Sequence, residues 1–324
     1  MKKGYWVGVL VLGGAVWAAL STIAQTHGPL LSALKSPFSL ERCHPPEQAH
    51  HYRSSTQYDG LTDTTGKLVY RYIVSGEFRR KVVGFREDGC PLEEFQWRNV
   101  KITYLSPQDG AITGVKDLDF AEDFTYRLCF EDDYNDISEL VDHSNLPNTL
   151  EGFLFYEQII DAHSPFDTLL TRKHGKIHQL VAVGTVVELP AREVPAAVDF
   201  RPFGYWEFHP QGGARRTSKF VGLTLVDGQV GAIVETGPSD VPTPFDSSTT
   251  MGNQTFTQRM ITDTWAQVVV SLEDRLPLGG RMYERVILIE AEARPTRGPS
   301  VVAVHRKISL TRVRAAESNN EGQD

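Results

Sequence analysis

The chain has 324 residues, 33 Lys and Arg against 41 Asp and Glu, a formal net charge of -8 and 40% hydrophobic residues. That balance argues against nucleic acid as a partner, because nucleic-acid binders concentrate Lys and Arg on one face. The length suffices for one large or two moderate domains with a packed core.

Met1, Lys2 and Lys3 precede residues 6–24, WVGVLVLGGAVWAALSTIA, a run of 19 residues without a charge. A helix rising about 1.5 Å per residue crosses a bilayer core with about 20 apolar residues. Two lysines before the run and no basic residue after it until Lys35 place the N-terminus in the cytoplasm. Residues 1–25 therefore read as a single-pass membrane anchor, with everything downstream outside the cytoplasm, periplasmic or extracellular. Thr22-Ile23-Ala24 also forms a small-residue cleavage site before Gln25, so secretion after cleavage near Ala24 is the alternative.

Residues 26–66 are polar, with the proline pair in ERCHPPEQAHHYRSS and no sustained period, and read as a tether. The three cysteines permit one disulfide and leave an odd thiol; Cys43 with Cys90 is the expected pair, and Cys129 is expected to be a buried small hydrophobe. From Lys67 the pattern turns to alternation. KLVYRYIVS and EFRRKVVGFR, joined at Gly76, predict a hairpin or one long bulged strand, and PLEEFQWRNVKITYL a further strand. An acidic stretch follows, with ten acids against Arg127 between Asp117 and Asp142, a strand at 124–130 and a short helix near 136–142. TLEGFLFYEQII, 149–160, has a wide apolar face that predicts a helix ended by Ser164-Pro165. A second short helix is expected over 165–172, stopped by Gly175.

Strands resume at 177–189, 205–209, 219–226, 229–235, 255–260, 264–272, 282–292 and 301–312. Asp227-Gly228 between two apolar runs is the dipeptide that type I′ hairpin turns favour. The expected fold is mainly β, a β-rich α+β chain whose antiparallel sheet closes as a barrel or folds over as a sandwich, with one or two short helices. Three prolines within 189–204 suggest a boundary between a β+α half, 67–190, and a β half, 200–314, which can also form one domain; 315–324 is a polar tail.

Candidate chemistry is sparse. No G-x-S-x-G elbow and no glycine-rich phosphate loop occurs, so no cofactor is implied. Asp161, His163, His174, His178 and His209 are the residues from which a hydrolase or metal-dependent site could be drawn; His174 and His178 have i, i+4 spacing, but Gly175 interrupts the helix that spacing needs. Loop histidines are the simpler reading. Asp132, Asp133, Asp136 and Glu139 supply oxygen ligands suited to calcium, yet adjacent acids without a central Gly do not make an EF-hand, and a solvated acidic loop accounts for them as well. Phe153, Phe155, Tyr205 and Trp206 could line an apolar pocket or simply pack a core. Together these readings favour a non-enzymatic envelope module, held to the membrane by its N-terminal helix, that binds an apolar ligand or an envelope protein. The hydrolase is the competing function.

Overall fold

The computed structural model describes residues 39–42, 48–62, 65–132, 134, 137–189, 196–211, 216–237, 242–291 and 301–313. The anchor over 1–25 and the tail over 315–324 lie outside them.

Among the described residues fourteen strands form one sheet. β1 (Ala49–Thr62), β2 (Leu68–Phe85), β3 (Pro91–Leu105), β4 (Ile112–Asp117) and β5 (Thr125–Leu128) precede the single α-helix of the described residues, α1 (Leu150–His163). After it come β6 (Val186–Leu189), β7 (Ala196–Phe200), β8 (Gly204–Pro210), β9 (Arg216–Val226), β10 (Gln229–Gly237), β11 (Thr243–Met251), β12 (Gln254–Ser271), β13 (Pro277–Ala291) and β14 (Val301–Val313). The spatial order is β4-β3-β2-β1-β14-β13-β12-β10-β9-β6. β12 is long enough to split its pairing. Its 254–262 part bonds β11, which continues to β8 and β7, and its 266–271 part bonds β10. The sheet is antiparallel and open, since its end strands do not bond one another, and the expected closure as a barrel or sandwich is not found.

Four assignments need correction. Residues 26–66 are not all tether, because Ala49–Thr62 is a central strand bonded along its length to β2 and β14, and Leu40 is 1% exposed in the core. The segment reads as polar because its inward residues Ser54, Thr56 and Tyr58 bond polar side chains of α1 rather than apolar ones. Residues 177–189 are not one strand. Lys176 has φ 48° and Gly184 φ 90°, so the chain makes a 3-10 turn at Ile177–Gln179 and pairs only over β6. The short helices expected over 136–142 and 165–172 are likewise reduced to 3-10 turns at Ile137–Glu139 and Thr168–Leu170. The disulfide joins Cys90 to Cys129, 39 residues apart, and not Cys43 to Cys90; it ties the start of β3 to the end of β5, strands already in register.

The 67–86 alternation forms one strand, β2, while β9 and β10 make the hairpin expected at Asp227-Gly228, with φ 51° and 80° as a type I′ turn requires. α1 begins with Thr149 accepting from the Gly152 amide at 3.3 Å. A Cβ on Gly152 would collide with the Pro147 carbonyl oxygen, so the cap needs glycine there. The helix runs past 160 to His163. It lies on the even-numbered face of β1 and β2, packed between those strands with β14 on one side and the β7–β8 aromatics on the other, which is why its buried residues surround nearly its whole circumference.

Candidate functional site

Successive strand residues alternate between faces. On the helix side β1 presents Tyr52, Ser54, Thr56 and Tyr58, opposite Arg312, Leu310, Ile308 and Arg306 of β14. Two polar networks occupy the space between this face and α1.

The first centres on Asp167, just past the helix. Its Oδ1 accepts from Arg80 Nη1 at 2.8 Å and from Arg42 Nη2, and its Oδ2 meets His163 Nδ1 at 2.9 Å. Glu93 bridges the same guanidiniums, with Arg42 Nη1 at 2.7 Å and Arg80 Nε beside it. His163 Nε2 lies 2.7 Å from Tyr126 Oη, which accepts from Trp97 Nε1 at 3.0 Å. All of these groups are buried: Arg80 is 2% exposed, Glu93 and Asp167 1%, His163 0%. Burial lowers the His163 pKa against the pull of Asp167, so the ring is neutral near pH 7. Burial also works against charge on Asp167, but Arg80 and Arg42 prevail and hold its carboxyl well below the usual range.

The second network centres on Asp161, which accepts from Thr56 Oγ1 at 2.9 Å, Tyr58 Oη at 3.1 Å and Arg306 Nη2. Arg306 Nη1 also reaches Glu284 Oε2 at 2.8 Å. Burial raises the Asp161 pKa, with Arg306 opposing. A smaller cluster at the sheet end joins His50, Arg312 and Asp274; Arg312 Nη2 donates to Asp274 at 2.6 Å. Burial and then Arg312 bring the His50 pKa down to about 4.

The structure therefore scatters the five candidates for a hydrolytic set. Asp161 faces β1 and β14, and His163 faces the aromatic rings of Phe78, Phe95 and Phe130. His174 Nε2 lies 3.1 Å from the Asp132 carbonyl oxygen with its ring against Tyr134, His178 is on the 177–179 turn, and His209 sits on the other face of β8, 3.8 Å from Glu207. Among the described residues no group of three or more His, Cys, Asp and Glu is arranged to hold a metal. Of the calcium candidates, Asp133 and Asp136 lie outside the described residues, Asp132 pairs with Arg86 at 2.7 Å, and Glu139 is on the 137–139 turn. A cleft at the sheet end, lined by Gln48, His50, Arg80, Lys81, Val82, Glu93 and Leu276, has interior room for about one water.

The aromatic candidates divide. Phe153 stacks on Trp206 at 4.2 Å between centroids, on the helix side. Phe155 is 0% exposed among Trp97, Phe120 and Phe124, so it is core and lines no opening. Tyr205 is on the opposite face of β8 from Trp206, bonded to Glu207 at 2.6 Å with Arg201 over its ring. Sequence reading missed the partners Arg42, Arg80, Glu93, Asp167 and Arg306. Their one signal is parity: Arg80, Glu93 and Arg306 fall on the inward side of alternating strands, where an unpaired charge would not survive.

The same face continues past α1. Val286 pairs with Val304, four residues along from the buried pair Met282 and Ile308, and Leu288 pairs with Met260. Met260, Val286, Leu288 and Val304 are partly buried and stand outside the core cluster, beyond Tyr70 and Tyr72 at its margin.

No protein-family model matches the chain, and no curated protein matches it in sequence. Among solved structures it is similar to one of lipid–protein interactions in lipovitellin, at 10% identity over 83% of this chain with a TM-score of 0.37. It spans 25% of that chain's length. A DUF1329 family protein from Desulfovibrio piger aligns at 11% identity over 86% of this chain and 92% of the other, TM-score 0.18. An outer membrane channel from Pseudomonas putida aligns at 10% over 84% and 97%, TM-score 0.20. No helix among the described residues is long and apolar enough to cross a membrane.

Proposed function

We propose that this protein is a non-enzymatic binding module that holds an apolar ligand on the helix side of its open sheet. The observation that carries the reading is the strip formed by Met260, Val286, Leu288 and Val304, apolar and only partly buried on the face that elsewhere forms the core. Completing the burial of four such side chains is favourable by roughly 1 kcal/mol each, and every ligand CH₂ removed from water adds about 0.8 kcal/mol. A single acyl-like chain thus gains enough to offset the cost of association. The acids of the polar clusters beside the strip are already engaged internally: the Asp161 carboxylate takes three donors, Asp167 and Glu93 share Arg42 and Arg80, and His163 is sealed from solvent. They support a rigid wall better than an acid–base pair waiting for substrate. Placement outside the cytoplasmic membrane behind the 1–25 segment belongs to the same proposal.

The test is ligand retention. Val304→Asp puts a carboxylate in the strip without touching a buried contact and should abolish an apolar adduct seen by native mass spectrometry of the full chain. Val115→Asp, on the exposed edge strand β4, should leave it in place. An adduct that survives Val304→Asp unchanged rules the strip out.

A further inference from the structure

The face of the sheet opposite α1 carries a charge opposite to that of the chain. Here lie the odd residues of β1, β2, β13 and β14, and the residues of β3 and β12 that pair with them. Four of its arginines are matched by acids: Arg53 with Glu77, Arg71 with Asp59, Arg98 with Asp123, and Arg285 with Asp263. Arg79, Lys81, Lys101, Arg281 and Lys307 have no ion-pair partner among the described residues. Against them stand Glu235, which accepts from Trp265 Nε1 at 2.6 Å, Asp117 opposite Lys101 in the register, and Glu94 opposite Lys81, which is itself paired with Arg127. A chain of net charge -8 therefore presents a face with an excess of cations here.

The cations are interleaved with aromatic and aliphatic surface. Trp265 and Tyr283 pair across β12 and β13 with centroids 5.8 Å apart, Arg281 lies over the Trp265 ring, and Tyr283 is 46% exposed. Ile261 and Ile287, two rows further along, are a half-exposed apolar pair on the same face. Lys101 on β3 and Arg281 on β13 are four strand spacings apart, roughly 19 Å. Charges spread in two dimensions across a sheet, with a Trp–Tyr pair among them, suit a plane of anionic headgroups, where amphipathic rings and lysines both sit well. A nucleic-acid backbone is a line of charge and would leave Ile261 and Ile287 uncovered.

We propose that this outer face docks on an anionic lipid surface, through Arg79, Lys81, Lys101, Arg281 and Lys307 with Trp265 and Tyr283 at the headgroup level. The inference concerns the opposite face from the apolar strip and stands or falls independently of it. Docked this way, the helix side points away from that membrane.

The test is lysine acetylation read by mass spectrometry on the full chain, mixed with vesicles of phosphatidylcholine alone or with one-third phosphatidylglycerol. Reading each lysine separately keeps the result independent of any insertion by residues 6–24. Lys81, Lys101 and Lys307 should label roughly 5-fold more slowly on the anionic vesicles, and high salt should remove the difference. Lys116, paired with Glu151 on the helix side, should label equally on both. In the Lys101→Gln, Lys307→Gln variant the protection of Lys81 should fall away. Equal labelling of Lys81, Lys101 and Lys307 on both vesicle types overturns the proposal. So does protection by duplex DNA that matches or exceeds the anionic vesicles, which would give the face to nucleic acid.

Discussion

Replacing Asp167 by Asn keeps the shape of the side chain and removes one charge from the centre of a buried cluster. In the native protein Arg42 and Arg80 share two carboxylates, Glu93 and Asp167, and every member is at most 6% exposed at its side chain. The variant leaves two guanidiniums against Glu93 alone and weakens the acceptor that orients His163. Removing one partner from a buried ion pair costs about 3–5 kcal/mol, a large part of a domain's stability of about 5–15 kcal/mol. We expect a loss of about 4 kcal/mol in urea unfolding at neutral pH. The pH dependence gives a second reading. Asp167 is held below its unfolded pKa of 3.8, so in the unfolded chain it takes up a proton first on acidification. Its contribution is complete above that value and is lost as the pH falls below it. The difference between native protein and variant should therefore shrink as the pH approaches about 3. A variant within about 1 kcal/mol of the native protein at neutral pH would refute the ion cluster as a stabilising element.

His50 provides a test in a milder acid range. Its folded pKa of about 4 lies below the ordinary 6.5, so stability should fall as the pH drops from 6.5 towards 4. The loss is at most about 3 kcal/mol from this group, and NMR titration of the ring should find it neutral at a pH where free histidine is charged; a midpoint near the ordinary value contradicts the burial argument. Phe155→Ala should cost about 3–5 kcal/mol in thermal or chemical unfolding, as for a buried ring in contact with Trp97, Phe120 and Phe124. Tyr205→Ala should cost under about 1 kcal/mol, and the reverse order would overturn the division of the aromatic candidates.

The strands with apolar inward faces, β2, β3, β9, β10 and β12–β14, were legible because alternation of period 2 needs only local reading. β1 was not. Its inward side chains are Ser54, Thr56 and Tyr58, acceptable in a core only because Gln158 and Asp161, about a hundred residues later, meet them. Neither segment carries the signal alone. The same division hid the ion clusters: Arg80 and Glu93 read as ordinary strand charges until Asp167 and Arg42 stand beside them. Asp161 and His163 read as parts of one hydrolytic set, but their spacing says nothing of direction, and they point into separate clusters. Sheet closure was beyond local patterning altogether, since it depends on where β12 divides its two ends between β10 and β11.

The central claim is that the uncovered helix-side strip holds an apolar ligand, and photo-crosslinking measures it most directly. The full chain would be incubated with a fatty acid carrying a diazirine near its tail, irradiated and mapped by peptide mass spectrometry. Label should concentrate on Val286, Leu288 and Val304, in the peptides of β13 and β14, and be displaced by excess unlabelled fatty acid. Label spread evenly over the chain, or confined to residues 6–24, would contradict the account.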